Sequence, residues 1–207
     1  MSKYSGVKQV TPRRHKICFA IPCTGTIRIE TMLSIVGIMG HTPHDFYFAY
    51  KTGCYIEQNR ADMIRIAIEQ KCDKLFFLDS DIIVEHDVVN KLLASGKDFI
   101  GADYHQRQFP IYSNIKIADE TGKLIAVPPE KMPTTLSKVF GVPTGCMLID
   151  IAAVQKVPQP WFDLTYKEDG TLEFGEDIFF CKQINEAGME VWVDPTIQTG
   201  HIGTHVF

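Results

Sequence analysis

Residues 74–84 read KLFFLDSDIIV, a short apolar run that ends in two carboxylates. The four large apolar residues at 75–78 predict a strand that is buried on both faces, as in a parallel α/β sheet. Asp79 and Asp81 follow this strand with one small residue between them. Because ligands of open α/β sheets bind outside the carboxyl ends of the strands, we expect a functional site at this point.

The spacing of Asp79 and Asp81 suits a divalent cation, bound directly or through water. Mg²⁺ and Mn²⁺ favour oxygen ligands and are often shared with the phosphates of a substrate. The alternative is a polar turn in which one of the two aspartates caps the next helix. The motif alone leaves both interpretations open.

The composition is typical of a globular domain. The 207 residues fit a single domain over 1–207, with a flexible tail expected at 1–14. Hydrophobic residues make up 45% and charged residues 22%, which is ordinary for such a domain. The formal net charge of −4 argues against a surface devoted to nucleic acid.

The cysteines and the first residues bear on the cellular compartment. The six cysteines include no C-x-x-C pair, so neither a disulfide framework nor a structural zinc site is indicated. The polar segment 1–11 lacks the apolar core of a signal peptide, and no stretch approaches the roughly 20 apolar residues of a membrane span. We therefore expect a cytoplasmic protein without a membrane span.

The first half of the chain alternates predicted strands and helices. Strands are predicted at 16–21, 46–50, 75–78 and 98–102, and helices at 27–39, 56–71 and 88–95. Three strand–helix units predict a parallel sheet with right-handed crossovers. The first helix is predicted to be amphipathic from five apolar residues at helical spacing, Ile29, Met32, Leu33, Val36 and Met39.

The second half predicts shorter strands. The expected elements are a hairpin over 111–127 with its turn at Thr121-Gly122, strands at 136–140 and 147–150, a helix at 177–187, a strand at 190–193 and a final histidine-bearing loop. The fold class is therefore α/β: a mixed, mostly parallel central sheet flanked by helices, with a smaller antiparallel hairpin region in the second half.

Six segments in chain order resemble the GT-A nucleotide-sugar glycosyltransferases, particularly their family-2-like members. They are Pro22-Cys23-Thr24, Gln58-Asn59-Arg60-Ala61, Leu78-Asp79-Ser80-Asp81, Gly145-Cys146-Met147-Leu148-Ile149, Gly175-Glu176-Asp177 and Gly200-His201-Ile202-Gly203. With the strand that leads into the first segment, the resemblance covers residues 16–203. The resemblance implies a GT-A, Rossmann-like fold and the transfer of a sugar from a nucleoside-diphosphate sugar.

The resemblance also implies a divalent metal, Mn²⁺ or Mg²⁺, that stabilises the departing diphosphate. Asp81 is then the principal carboxylate ligand and His201 the second protein ligand. Asp79 joins the metal site by facing the ribose or an outer-shell water. The alternative for His201 is a surface histidine, or a core histidine satisfied by hydrogen bonds.

A general base is required because the acceptor hydroxyl loses its proton as it attacks. Asp177 is the predicted base, with Glu176 beside it at a helix N-terminus, where negative charge is favoured. The alternative is that both carboxylates only balance the helix dipole. By family resemblance, a base at Asp177 implies an inverting transfer.

Nine residues are predicted to contact the nucleotide sugar: Pro22, Cys23, Thr24, Asn59, Arg60, Asp79, Ser80, Asp81 and Gly145. Arg60 is expected to bind the base or the phosphates by charge-assisted hydrogen bonds, with a surface ion pair as the alternative. Trp161-Phe162 either stacks against a sugar or packs in the core. Tyr104 and Arg107 follow the fourth strand and have no assigned role.

Three other classes of protein share some of these features. A haloacid-dehalogenase-like phosphatase also has Asp-x-Asp after a buried strand, but its motif continues with Gly-Thr near the chain start, whereas Ile82-Ile83 follow here. A nucleotidyltransferase would carry a glycine-rich phosphate loop with a lysine after the first strand. A non-catalytic nucleotide-sugar-binding module remains an alternative, although all the predicted site residues are present. The acceptor, a saccharide, a protein or a modified nucleobase, stays open.

Overall fold

The structure is a computed structural model that describes residues 13–106 and 112–203. The strands in these ranges are β1 Lys16–Cys23, β2 Asp45–Thr52, β3 Lys74–Leu78, β4 Ile82–Val84, β5 Phe99–Gly101, β6 Lys116–Ala118, β7 Leu124–Ala126, β8 Ser137–Val139, β9 Cys146–Asp150, β10 Thr165–Tyr166, β11 Leu172–Phe174, β12 Val191–Val193 and β13 Thr199–His201. The helices are α1 Ile29–His41, α2 Ile56–Glu69, α3 Val88–Ala94, α4 Ile151–Val154 and α5 Glu176–Glu186, with a 3-10 turn at Pro129–Lys131. Most of the expected tail at 1–14 lies outside the described residues.

Seven of the described strands form one mixed sheet in the order β2-β1-β3-β9-β5-β12-β8. Strands β2, β1, β3, β5 and β12 run in one direction, while β9 and β8 run in the other. The predicted mixed, mostly parallel sheet is therefore confirmed. The first-half strands are not all adjacent, however, because β9 lies between β3 and β5 and pairs Leu78 with Cys146 at its start.

Strand β3 is buried on both faces, as its apolar run predicts. Leu75 and Phe77 point into a core covered by α2, α4 and α5, and Phe76 and Leu78 point into a second core covered by α1 and α3. All four are fully buried. Since the same alternation continues past the strand, Asp79 projects toward the face that α2 covers.

Helix α1 is present, but its predicted apolar stripe faces outward. The residues it buries are Thr31, Ser34, Ile35 and Ile38. Ser34 Oγ accepts a hydrogen bond from Val84 N at 3.2 Å, and this contact with β4 fixes the helix rotation. The interpretation of the stripe as a core-facing surface was therefore wrong, and five apolar residues are exposed instead: Ile29, Met32, Leu33, Val36 and Met39.

Three small antiparallel pairs complete the described structure. The expected hairpin is confirmed as β6–β7, with Gly122 at the turn in the left-handed region at φ 81°. A second hairpin, β10–β11, was not predicted. The expected C-terminal loop contains the strand β13, which pairs with β4. None of the helices in the described ranges combines the length and apolarity needed to cross a membrane.

Candidate active site

The carboxyl ends of β1, β2 and β3 surround a cavity of about 380 Å³, which we call the first cavity. Its lining residues are Pro22, Cys23, Thr24, Gly53, Cys54, Ile56, Asp79, Ser80 and Asp81. The sequence predicted six of these residues and missed Gly53, Cys54 and Ile56. The sequence did carry a signal for these three residues. They follow β2, which neighbours β1, so the segment after the carboxyl end of β2 must reach the same edge of the sheet.

Asp81 and His201 lie together beside this cavity. Asp81 Oδ1 is 3.8 Å from His201 Nε2. The pairing of β13 with β4 brings them together, since His201 is opposite Ile82 and Ile202 N donates to Asp81 O at 2.9 Å. Asp79-Ser80-Asp81 and the histidine from the last strand are therefore neighbours in the structure, and their sharing of a metal stays a prediction.

The ring of His201 is held by its second nitrogen. His201 Nδ1 lies 2.8 Å from the carbonyl oxygen of His105, and the ring packs edge-on against Tyr104 at 5.1 Å. A carbonyl only accepts, so Nδ1 donates to it, and Nε2 is the ring nitrogen on the side of Asp81. A backbone carbonyl behind an imidazole is the usual support of a histidine metal ligand.

The donor set fits a cation that is partly bound by substrate. Among the residues that the structure describes, no group of three or more His, Cys, Asp and Glu side chains is arranged to hold a metal. The described residues therefore supply at most two protein ligands together, Asp81 and His201. Mg²⁺ and Mn²⁺ sites commonly use one or two protein ligands and take the rest from phosphates and water.

Arg60 is a buried member of the site and orients Asp79. Its side chain is 3% exposed, and its Nη2 donates to both oxygens of Asp79, at 2.9 and 3.1 Å. Its Nε lies 3.5 Å from Glu176 Oε1, and its guanidinium lies over the ring of Phe77 at 5.3 Å. Burial lowers the pKa of Arg60, but Asp79 and Glu176 outweigh it and raise the pKa above its ordinary value.

Asn59 and Arg60 do not line the first cavity. Asn59 is buried, with Nδ2 3.5 Å from the carbonyl oxygen of Gly53, so it supports a loop that lines the cavity. The surface ion pair considered as the alternative for Arg60 was wrong, because Arg60 forms its ion pairs with Asp79 and Glu176 from a buried position. Direct contact of these two residues with a nucleotide stays a prediction, and their position favours an indirect role.

Gly145 lies behind Asp79 and allows its close packing. Gly145 N donates to Tyr104 Oη at 3.1 Å, and Asp79 N donates to Gly145 O at 2.9 Å. A Cβ at position 145 would lie 2.4 Å from both Asp79 Oδ2 and Tyr104 Oη. Tyr104 is buried, and burial followed by the charge of Asp79 raises the pKa of its phenol well above 10. Sequence reasoning assigned Tyr104 no role, since nothing local indicates this contact.

Asp177 belongs to a second cavity of about 340 Å³. Its lining residues are Asn114, Lys116, Leu124, Glu173, Phe174, Gly175, Asp177 and Ile178. Asp177 is near the start of α5, and its Oδ1 accepts from Ile178 N at 2.7 Å. Burial and then the neighbouring Glu176 raise the pKa of Asp177 to about 6. Arg60 links the two cavities, because it contacts Asp79 of the first and Glu176 beside the second.

Trp161-Phe162 packs in the core, which is one of the two predicted alternatives. Both side chains are 4% exposed, and the ring of Phe162 stacks on Phe180 with centroids 4.5 Å apart. Trp161 Nε1 donates to the carbonyl of Val157. The sugar-stacking interpretation was therefore wrong for this pair. Arg107 lies outside the described residues.

Comparison with known proteins supports the fold at low sequence identity. No protein-family model and no curated protein matches this chain. The crystal structure of A197 from STIV matches with a TM-score of 0.60 at 15% identity, over 91% of this chain and 86% of that chain. The crystal structure of GalNAc-T7 with UDP, GalNAc and Mn²⁺ matches with a TM-score of 0.60 at 12% identity, over 93% of this chain but 45% of that one.

These likenesses establish the fold class and nothing finer, because both identities are low. The chain has a GT-A-like fold: a mixed, mostly parallel central sheet flanked by helices, with small antiparallel hairpins. GalNAc-T7 is a glycosyltransferase of that fold class, and the chain spans 45% of its length. A shared fold hosts many functions, so the activity has to be argued from the site.

Proposed function

We propose that this protein is a metal-dependent glycosyltransferase that moves a sugar from a nucleoside-diphosphate sugar to an acceptor hydroxyl with inversion. The observation that carries the proposal is the 3.8 Å separation of Asp81 Oδ1 and His201 Nε2, beside a cavity at the carboxyl ends of the strands. A turn or a helix cap does not require an imidazole from β13 at this position. The solved complex of GalNAc-T7 with UDP and Mn²⁺ supports the same donor class.

The first cavity would take the nucleoside diphosphate. Its volume of about 380 Å³ lies in the range of small-molecule sites. Pro22, Cys23 and Thr24 at the end of β1 offer backbone and hydroxyl contacts to the nucleoside. Asp79, whose carboxylate is oriented by Arg60, would accept from a ribose hydroxyl, and Ser80 would contact the donor from the same turn.

Asp81 and His201 would hold the divalent ion, Mn²⁺ or Mg²⁺, together with diphosphate oxygens and water. Such an ion, when bound, supplies Lewis-acid stabilisation of the charge on the departing diphosphate. This chain contributes the orientation: the carbonyl of His105 fixes the His201 ring, and the β4–β13 pairing fixes the distance to Asp81. Arg60 is a positioning residue that aims Asp79 without reaching the cavity.

Asp177 would act as the general base from the second cavity. A carboxylate with a pKa near 6 is mostly ionised at neutral pH and is a stronger base than an ordinary aspartate. The acceptor oxygen forms a bond to the anomeric carbon as the bond from that carbon to the diphosphate breaks, through an oxocarbenium-like transition state. The hydroxyl proton passes to Asp177, and the diphosphate leaves with the electron pair.

Glu176 has a supporting part in this scheme. Its carboxylate is 3.5 Å from Arg60 Nε, and its charge contributes to the raised pKa of Asp177. We therefore assign it to positioning and electrostatics rather than to proton transfer. The acceptor hydroxyl would enter through the second cavity, whose lining includes Asn114, Lys116 and Glu173. These polar groups suit a saccharide, a protein side chain or a modified nucleobase.

A thermal-shift screen of nucleoside-diphosphate sugars with and without Mn²⁺ tests donor and metal together. We expect a metal-dependent rise in melting temperature with one donor, followed by metal-dependent hydrolysis or transfer of its sugar. Asp81→Asn and His201→Ala should each abolish both effects, whereas the exposed Glu120→Gln should change neither. If both site variants retained turnover and Mn²⁺ dependence, the assignment would be wrong.

A further inference from the structure

The outer side of α1 and the edge strand β2 both expose large apolar side chains, and we call these side chains together the α1–β2 face. It consists of Ile29, Met32, Leu33, Val36 and Met39 from α1 and Phe48 and Tyr50 from β2. Leu33 is 61% exposed and Tyr50 is 73% exposed. The proposed function uses none of these seven side chains.

The two parts of this face lie on the same side of the sheet. One side of α1 is turned to β4 and the segment after it, because Ser34 accepts from Val84 and Gly37 lies against the His86 ring. At 100° per residue, Met32, Ile35 and Met39 lie on the opposite side of the helix, toward β2. There the rings of Phe46 and Phe48 pack on Phe19, which shares a core with Ile35 and Ile38.

The area of the face matches half of a protein–protein interface. With roughly 200 Å² for a fully exposed residue of these types, the seven side chains present roughly 800 Å², which is what each partner contributes to a standard interface. Soluble monomers rarely expose apolar patches of this extent. The face also includes a strand edge, since within the described residues β2 pairs only with β1.

The sequence of β2 is complementary to itself. If β2 pairs antiparallel with its own copy about a two-fold axis at Phe48, Asp45 lies opposite Lys51 and Phe46 lies opposite Tyr50. Each end of the strand pair then joins opposite charges, and three aromatic pairs lie on the side of the sheet that carries α1. A two-fold axis also brings each copy's α1 to the same side of the joined sheet.

We propose that the α1–β2 face is the interface of a symmetric homodimer in which two β2 strands join the sheets of two copies. A bilayer fits this face less well, because α1 carries Glu30 and contains no lysine or arginine, whereas membrane-surface helices have basic polar faces. Segment 1–12 of the same chain is a poorer candidate to cover this face. It contains only four large apolar or aromatic residues, Met1, Tyr4, Val7 and Val10, against the seven exposed side chains of the face.

The proposal is tested first by the solution mass of the full chain across a concentration series. We expect twice the 23.4 kDa of one chain at micromolar concentration. Met32→Glu should raise the dimer dissociation constant roughly 30-fold or more, because Met32 lies on the side of α1 toward β2, where the interface is centred. Leu172→Glu is the matched control, since Leu172 is 54% exposed on β11, away from this face, and it should leave the mass unchanged.

Charge reversal tests the strand register. Asp45→Lys and Lys51→Asp should each weaken the dimer, and the double variant should restore it, because opposite charges then face each other again. Within one copy Asp45 pairs with Arg14 and Lys51 pairs with Asp62, so the double variant does not restore any pair of the monomer. Recovery of the dimer therefore reports contact between copies, and failure of the double variant to recover would overturn the register.

A further variant covers the remaining outcomes. Phe48→Cys in a Cys54→Ser background should form a disulfide-linked dimer on mild oxidation, whereas Tyr166→Cys on β10 in the same background should not. A monomeric mass at all concentrations would overturn the proposal, as would loss of the dimer on deletion of residues 1–12. Binding to phosphatidylcholine or phosphatidylserine vesicles that Met32→Glu abolishes would assign the face to a membrane instead.

Discussion

Arg60 donates from one nitrogen to both carboxylate oxygens of Asp79, at 2.9 and 3.1 Å, from a position that is almost entirely buried. The pair places a fixed negative charge at the end of β3 while its cation stays beneath the surface. The same arginine approaches Glu176 at the start of α5. One side chain therefore sets the relation between a central strand and the helix that carries Asp177.

Removing the arginine should destabilise the protein strongly. Arg60→Met leaves Asp79 and Glu176 without their buried partner, and breaking such a pair costs about 3–5 kcal/mol. Arg60→Lys should recover only part of this, because an ammonium cannot reproduce the planar guanidinium. Urea unfolding measures both variants. The control is Arg65→Met, since Arg65 is partly exposed and should lose at most about 1 kcal/mol. Equal losses at positions 60 and 65 would contradict the buried-pair account.

Gly145→Ala should weaken donor binding more than it weakens the fold. The new methyl would lie 2.4 Å from Asp79 Oδ2 and Tyr104 Oη, so one of these groups must move. Because Asp79 lines the first cavity, we expect the dissociation constant of the nucleoside-diphosphate sugar to rise at least about tenfold, a difference of about 1.4 kcal/mol. Titration calorimetry measures this.

The control for this variant is Gly40→Ala. Gly40 is helical and has open space where a Cβ would lie, so alanine should stabilise the protein by about 0.5–1 kcal/mol and leave donor affinity unchanged. Unchanged donor affinity in Gly145→Ala would show that Asp79 does not depend on the close packing seen here.

The rate of transfer should depend on the ionisation of Asp177. With a pKa of about 6, we expect kcat/KM to rise tenfold per pH unit below that value and to level off above it. Asp177→Asn should lower kcat by about 10²–10⁴-fold and remove this limb of the pH profile. Asp163→Asn is the control, because Asp163 is exposed and makes the same bond to the next backbone N–H, at 2.8 Å. A profile that keeps its acidic limb in Asp177→Asn would place the base elsewhere.

The same residue should make stability depend on pH. The pKa of Asp177 is raised in the folded protein, so its contribution to stability is present below about pH 4 and is lost as the pH rises through 6. Asp177→Asn should therefore raise the free energy of unfolding by about 1–3 kcal/mol at pH 8 and change it little at pH 4. Denaturant unfolding at both pH values measures this, and equal effects at the two would contradict it.

The six cysteine thiols should differ in their rate of alkylation according to their position in the structure. Burial raises the pKa of Cys18, Cys146 and Cys181 to about 12 and also raises that of Cys72, so these four should react slowly with iodoacetamide. Cys23 and Cys54 line the first cavity and should react first.

A bound nucleoside-diphosphate sugar should slow this reaction several-fold. Mass spectrometry gives the reacted positions, and Cys54→Ser shows the contribution of Cys23 alone. Alkylation of Cys23 that is indifferent to every donor tested would argue against the first cavity as the donor site.

Much of the sheet could be predicted because its strands carry local signals. The run at 75–78 and the apolar residues of β9 mark strands without reference to any partner. The place of β9 between β3 and β5 could not be predicted, since both orders bury the same residues. The pairing of β4 with β13 also could not be predicted from the sequence, because three-residue strands are too short to show a periodicity.

The candidate site was predictable where chemistry is concentrated in short motifs. Asp81 and His201 were paired by the resemblance and lie 3.8 Å apart. Burial of Arg60 has no local signal, since an arginine in the first turns of a helix is usually exposed. The prediction of which side of α1 faces the core was wrong for a different reason. Helical spacing identifies a helix, but small and polar residues such as Thr31 and Ser34 can also face the core.

The insertion of β9 has a consequence for how a nascent chain matures. When β5 has left the ribosome, β3 has no partner on one side, because the strand that separates them follows dozens of residues later. The first three strands can assemble early through local crossovers, yet their inner apolar edge stays open to unwanted pairing until Cys146–Asp150 arrives. Synthesis that stalls before β9 should therefore yield aggregation-prone chains, whereas a stall after it should not.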